Sequence, residues 1–190
     1  MSIIYIKSDK NFYRNIQKYK NKKEKVYLNI QDLIIKDDND IKKDFDEDLI
    51  MKVHMINAVN IKNTIERYNY IYDIACNYLD KKFKDNNFCN FKDNKCISVR
   101  EKSHCKESLN GCCYGTKRGI CKNFKNGKCT INSISCKLFT CRYLRKNKIK
   151  IKVNDIPILK YFFNNRQKYI IDTSIFKDKD EIINLLLKYK

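Results

Sequence analysis

The sequence predicts a mainly α-helical protein with short β-hairpins, an α+β fold in which a helical body carries an inserted, irregular cysteine-rich metal-binding module. Three observations predict it. Nine of the ten cysteines lie between positions 89 and 141, and all four glycines, Gly111, Gly115, Gly119 and Gly127, fall in the same window. Before the window, apolar residues recur at three- and four-residue steps, the period of a helix face. After it, Pro157 and Asp178 each stand where a helix begins. Three regions follow, 1–85, 86–145 and 146–190, which pack as one compact unit. With 190 residues and 43% hydrophobic composition, the chain can bury roughly two-thirds of its unfolded surface, so its fold need not depend on metal alone.

Taken in order, Ser2 to Lys7 reads as a short strand, Asn11 to Lys20 as a weak helix, and Val26 to Ile30 as a second strand. The acidic stretch from Asp37 to Asp48 lacks the alternate-residue spacing and the glycine of a calcium loop, and reads as a loop entering a helix N-terminus. Asp48 to Phe83 is one long helix, or two joined near Asn57 to Asn60, with Ile61, Ile65, Tyr68, Tyr72, Ala75 and Leu79 as its apolar face. His54 reads as an ordinary helix residue. Cys76, set among Ile71, Tyr72 and Ala75, reads as core, where a thiol behaves as a small hydrophobe.

Beyond the window, Asn154 or Asp155 is placed to cap a helix with Pro157 in its first turn and Ile158, Leu159, Phe162 and Phe163 on its apolar side. The last helix starts near Asp178, with Asp180 and Glu181 in its first turn and Lys188 and Lys190 in its last, the charge order that a helix dipole favours. The C-terminal region is thus a helical hairpin.

Lysine and arginine number 41 against 22 acidic residues, a formal charge of +19. Such a field attracts a nucleic acid or other polyanion. Lysine, asparagine and isoleucine are abundant together along the whole chain, however, so much of the charge is solvated surface. The densest run, Cys141 to Lys152, carries Arg142, Arg145, Lys146 and Lys148 around Tyr143, a pattern that could grip phosphates and stack a base, or serve only as a solvated face.

Compartment decides what clustered cysteines do. The opening residues, Met1-Ser2-Ile3-Ile4-Tyr5-Ile6-Lys7, have no charged leader before an apolar run, and no stretch approaches the length of a membrane span. The sequence therefore predicts a cytoplasmic protein with no membrane partner, whose thiols act as metal ligands rather than in disulfides. Two stretches resemble each other. Cys89 to Cys96 and Cys121 to Cys129 both run from a cysteine through Phe-Lys to a turn dipeptide, then lysine and a second cysteine. Asn126-Gly127 is a strong hairpin signal and Asp93-Asn94 a fair one, so each stretch would present a pair of thiolates. Cys105, the adjacent Cys112 and Cys113, Cys136 and Cys141 complete the candidate ligands. Nine thiols allow one or two four-thiolate sites, which suit zinc and iron–sulfur clusters alike.

The run from Cys112-Cys113 through Cys121-x-x-Phe-x-x-Gly-x-Cys129 to Cys141-Arg142 resembles the bacterial family of cysteine-rich zinc- or iron-chelating domains, over Cys105 to Leu144. That family pairs a C-x-x-C-x-x-C-C motif with later single cysteines, the last of them before an arginine. Lys106 and Leu109 stand here at the motif's leading positions. The resemblance implies metal chelation and names no reaction.

No phosphate-cradling glycine loop, dinucleotide fingerprint or serine nucleophile elbow occurs in the sequence. The reading is a metal-binding protein with an iron–sulfur cluster or zinc, in a redox or metal-handling role. A zinc-structured nucleic-acid binder is the alternative, since four-thiolate zinc sites would leave most of the positive charge in place. An iron–sulfur enzyme with substrate near Arg142 is the second alternative.

Overall fold

A computed structural model describes residues 2–31, 33–90, 92, 97, 123–125, 128, 129 and 131–190. Contacts divide the chain into two compact units, Met1–Ile74 with Pro157–Asn164, and Ala75–Ile156 with Asn165–Lys190.

The first unit begins with β1 (Ile3–Lys7), helix α1 (Phe12–Ile16) continued by a 3-10 turn (Gln17–Tyr19), and β2 (Lys25–Ile30). The sequence anticipates these elements but not their pairing. β1 and β2 are parallel, Ile3 opposite Lys25 and Lys7 opposite Asn29, and α1 lies in the crossover that a parallel pair requires. A β-hairpin outside the two expected ones follows, as β3 (Leu33–Ile35) turns back antiparallel on β2 with Ile30 opposite Leu33. Gln31, at φ 53°, makes the left-handed step into it. β2 is therefore the central strand.

Alternation gives the sheet two faces. Ile6, Val26, Leu28 and Ile35 are buried on the side where α1 and α2 (Glu47–Asn60) pack. Ile3, Tyr5 and Ile34 stand on the other side, 45%, 52% and 44% exposed.

The acidic stretch does lead into a helix. Asp37 caps a 3-10 turn (Asp38–Asp40) by accepting the Asn39 amide at 2.9 Å, and Asp46 caps α2 by accepting that of Leu49 at 2.7 Å. α2 is buried on several sides, from Met51, Val53 and Met55 to Ile56, Ala58 and Val59, so it lacks a clean apolar stripe. It ends before α3 (Thr64–Asn86), so the expected junction lies at residues 61–63, just past Asn60.

The apolar face of α3 needs two corrections. Tyr68, Ile71, Tyr72, Ala75, Cys76 and Leu79 are buried, but Ile65 is 53% exposed, and Ile61 precedes the helix. Asn63 caps the first turn, its side-chain oxygen accepting the Ile65 and Glu66 amides at 2.9 and 3.2 Å, which leaves Ile65 on the solvent side.

Several cations in this unit do structural work. The Lys62 ammonium donates to the carbonyls of Lys22 and Glu24 at 3.0 Å and of Val59 at 3.3 Å. Arg67, itself buried, donates from Nε to Ile61 O at 2.8 Å and from Nη1 to Lys20 O at 2.7 Å. Burial and the neighbouring Arg67 charge lower the Lys62 pKa. The side-chain amide of Asn60 binds both backbone groups of Val26, accepting at 2.9 Å and donating at 2.8 Å. Helix α6 (Pro157–Phe162) completes the unit, with Ile158, Leu159, Phe162 and Phe163 buried as expected. Its start differs from expectation. Asp155 turns back to accept the Lys152 amide at 2.8 Å and closes a 3-10 turn (Val153–Asp155) instead of capping the helix.

The second unit contains the latter half of α3, strands β4 (Phe124–Lys125) and β5 (Lys128–Cys129), and helices α4 (Ile134–Lys137), α5 (Arg142–Lys146), α7 (Asn165–Thr173) and α8 (Lys179–Leu187). Its core joins Leu79 of α3 with Ile134, Leu144, Ile171, Ile182 and Leu186. α7 makes the C-terminal region three helices rather than a hairpin. Only Gln167 and Ile171 of α7 are buried, too thin a stripe to announce a helix, and Gln167 is held by donating to Leu186 O at 3.0 Å. α8 opens on a full capping box. The Asp178 carboxylate accepts the Glu181 amide at 2.8 Å and Glu181 accepts that of Asp178 at 3.0 Å. Lys188 and Lys190 fall just past its end at Leu187 rather than in its last turn. Among the described residues no helix is long and apolar enough to cross a membrane.

Candidate metal centre

The approach to the cysteine window is built by asparagine. Asn87 and Asn90 take φ of 43° and 46° after α3, and Asn132 takes 44° before α4. Asparagine tolerates this left-handed conformation because its short amide can bond locally. Between the first two lies Cys89, half-buried, whose carbonyl accepts the Ile97 amide at 3.2 Å.

At the second predicted hairpin, β4 and β5 pair antiparallel, Lys125 opposite Lys128, with Asn126-Gly127 between them. The register sets Cys129 opposite Phe124, not opposite Cys121. Cys121, like Cys96, Cys105, Cys112 and Cys113, lies outside the described residues.

Cys136 and Cys141 are both described and half-buried. Cys136 sits in α4, whose inner side is anchored by Ile134 and by the Ser135 hydroxyl donating to Ile171 O. Its Sγ accepts the backbone N–H of Phe176 at 3.4 Å. Phe176 has φ 65°, unusual for a bulky side chain. The left-handed backbone at Phe176 turns an amide dipole onto the sulfur. Cys141 begins α5 as its N-cap residue. Lys137, next to Cys136, pairs with Asp80 of α3.

Residues between the two cysteines help line a cleft of about 270 Å³, where Leu138, Phe139 and Thr140 are joined by Arg145, Lys150 and Asp172. Arg145 and Lys150 reach one cleft because the chain reverses after α5. Ile149 N–H donates to Leu144 O at 2.9 Å and Lys148 N–H to Arg145 O at 3.0 Å. That pair of bonds is a Schellman turn, made here with Lys148 at φ 57° in place of glycine. Arg142, Arg145, Lys146 and Lys148 are all exposed, and Leu144 is the residue of α5 that enters the core.

Cys76 is core, as its sequence context indicates. It is fully buried and its thiol donates to Asn132 O at 3.2 Å. Among the described residues no three His, Cys, Asp or Glu side chains converge as a metal site.

His54 is more than a helix residue. Its Nδ1 lies 3.0 Å from Asp38 Oδ1 and 2.8 Å from the Tyr70 hydroxyl, and Tyr70 donates to Asp38 Oδ2 at 2.6 Å. Asn57 donates to the same Oδ2 at 3.0 Å. Because the Tyr70 proton is committed to Asp38, the proton between His54 and Tyr70 belongs on Nδ1. Burial works to raise the Asp38 pKa, but the bonds from His54, Tyr70 and Asn57 and the charge of His54 together outweigh it, so the pKa is lowered. Burial, then the bond to Asp38, raises that of Tyr70. The cluster ties the 3-10 turn to α2 and α3. The i, i+3 spacing of His54 and Asn57 on one helix face was its only sequence signal.

Neither the family models, nor the curated proteins, nor the solved structures contain a match to this chain.

Proposed function

We propose that the protein binds metal through thiolates of the window from Cys89 to Cys141, as an iron–sulfur cluster or as zinc, in a redox or metal-handling role. One observation carries the reading: nine of ten cysteines occupy this window, while the tenth, Cys76, is consumed in the core. A chain that used cysteine merely as a small hydrophobe would not distribute it so. The amide held against Cys136 Sγ supports it, since backbone N–H groups directed at sulfur stabilise ligating thiolates and tune a cluster's potential. Cys89, Cys129, Cys136 and Cys141 are the ligands of this proposal within the described residues, and Cys96, Cys105, Cys112, Cys113 and Cys121 those outside them. The resemblance of Cys112-Cys113 through Cys141-Arg142 to cysteine-rich chelating domains points the same way. Zinc in four-thiolate coordination would brace the module, whereas a cluster would add electron transfer.

The test is metal content with a visible spectrum on protein purified without oxygen. Iron, labile sulfide and broad absorption near ~400 nm identify a cluster. A colourless protein with stoichiometric zinc identifies a structural site. Protein that holds neither metal after anaerobic purification and reconstitution would overturn the reading.

A further inference from the structure

The outer face of the three-stranded sheet has no role in the metal reading, and its chemistry is specific. Across it the register sets Ile3 beside Lys25, Tyr5 beside Tyr27, and Lys7 beside Asn29, which in turn faces Ile34. Tyr5 is the most exposed of these apolar groups, at 52%, and Tyr27 supports it edge-on with ring centroids 6.0 Å apart. A T-shaped partner braces the Tyr5 ring and takes up at most one of its two faces. Lys7 and Lys25 flank the pair at opposite ends of the strands, and both are exposed. None of the three strands contains an acidic residue.

Ile3, Tyr5 and Ile34 put three exposed apolar side chains on one face of a small sheet, the kind of surface that interaction sites use. A second copy of the chain is a poor cover, because it would bring lysines against lysines between two bodies each carrying +19. A polyanion with flat, apolar, stackable groups matches every feature of the face. We infer that this face binds single-stranded nucleic acid, with a base stacked on Tyr5 and the phosphates on either side paired with Lys7 and Lys25. The Asn29 carboxamide beside Lys7 offers a donor and an acceptor to a base edge. A duplex does not fit, since its bases are already stacked and cannot present a ring to Tyr5. This surface is separate in sequence from the Arg142–Lys152 run and does not rest on the metal proposal.

The test is fluorescence anisotropy of the full chain with a labelled single-stranded oligothymidylate of roughly ten nucleotides, read against salt. The parent protein binds, and Tyr5→Ala weakens binding roughly fivefold or more while leaving the circular dichroism unchanged, because a stacked base is worth ~1–3 kcal/mol. Tyr5→Phe, which keeps the ring, binds as the parent does. Lys7→Gln with Lys25→Gln reduces the slope of log affinity against log salt by about 1.4, two phosphates' worth. Parent-like affinity and slope in all these variants would place any binding elsewhere and overturn the inference. So would a parent that fails to bind the oligonucleotide at low salt, or one that forms a dimer which Tyr5→Ala dissociates.

Discussion

The imidazole Nδ1 of His54 lies 3.0 Å from a carboxylate oxygen of Asp38, sixteen residues earlier in the chain. With Tyr70 and Asn57 bound to the other oxygen, Asp38 joins a 3-10 turn to two helices. Because its pKa is lowered from the ordinary value of 3.8, its contribution to stability is fully present above that value. It is lost as the pH falls through the lower folded-state value. The acid limb of a urea-denaturation series against pH should therefore flatten in Asp38→Asn.

Removing the histidine tests the same cluster at neutral pH. His54→Ala leaves Asp38 short of a donor in a half-buried setting, and a loss of roughly 1–3 kcal/mol is expected in chemical denaturation.

The two ends of the periodicity in α3 should respond oppositely. Leu79→Ala empties a fully buried position and should cost about 2–5 kcal/mol. Ile65→Ala alters a side chain that is 53% exposed and should stay within about 0.5 kcal/mol. Equal losses would mean that Ile65 is packed.

Lys148 closes the turn after α5 at φ 57°, where a side chain costs about 1 kcal/mol that glycine avoids. Lys148→Gly should raise stability by about that amount in thermal unfolding, and Lys148→Ala should not.

For the metal proposal, Cys121 and Cys129 replaced together by serine should lower the bound metal per chain. Cys76→Ala should leave it unchanged while destabilising the fold, since Cys76 is core. Undiminished metal in the double variant would remove those two thiols from the ligand set.

Much of the fold was legible because it is written locally. The α8 start rests on Asp178 and Glu181, three residues apart. The β4–β5 pairing rests on one Asn-Gly dipeptide, and the buried face of α3 on a repeated step. What escaped is non-local or thinly marked. The parallel partnership of β1 and β2 depends on a crossover, not on a turn signal. α7 buries too few apolar residues to be seen. Of the candidate site, Cys136 stood out in the sequence by residue type alone, but the amide of Phe176 that reaches its sulfur comes from forty residues away. The His54 cluster was missed for the same reason, since each partner is unremarkable until the 3-10 turn folds against the helices.

The grip of Asn60 on Val26 has a consequence for how the chain behaves among its own kind. β3 pairs with β2 only along Leu28 to Ile30, which would leave the backbone of Val26 as an open template for a strand from another molecule. The carboxamide of Asn60 already occupies both of its hydrogen-bonding groups. A borrowed strand would have to evict it before adding there. A single side chain thus shuts this stretch of the central strand to an added strand, a safeguard supplied by hydrogen bonding rather than by the repulsion of like charges.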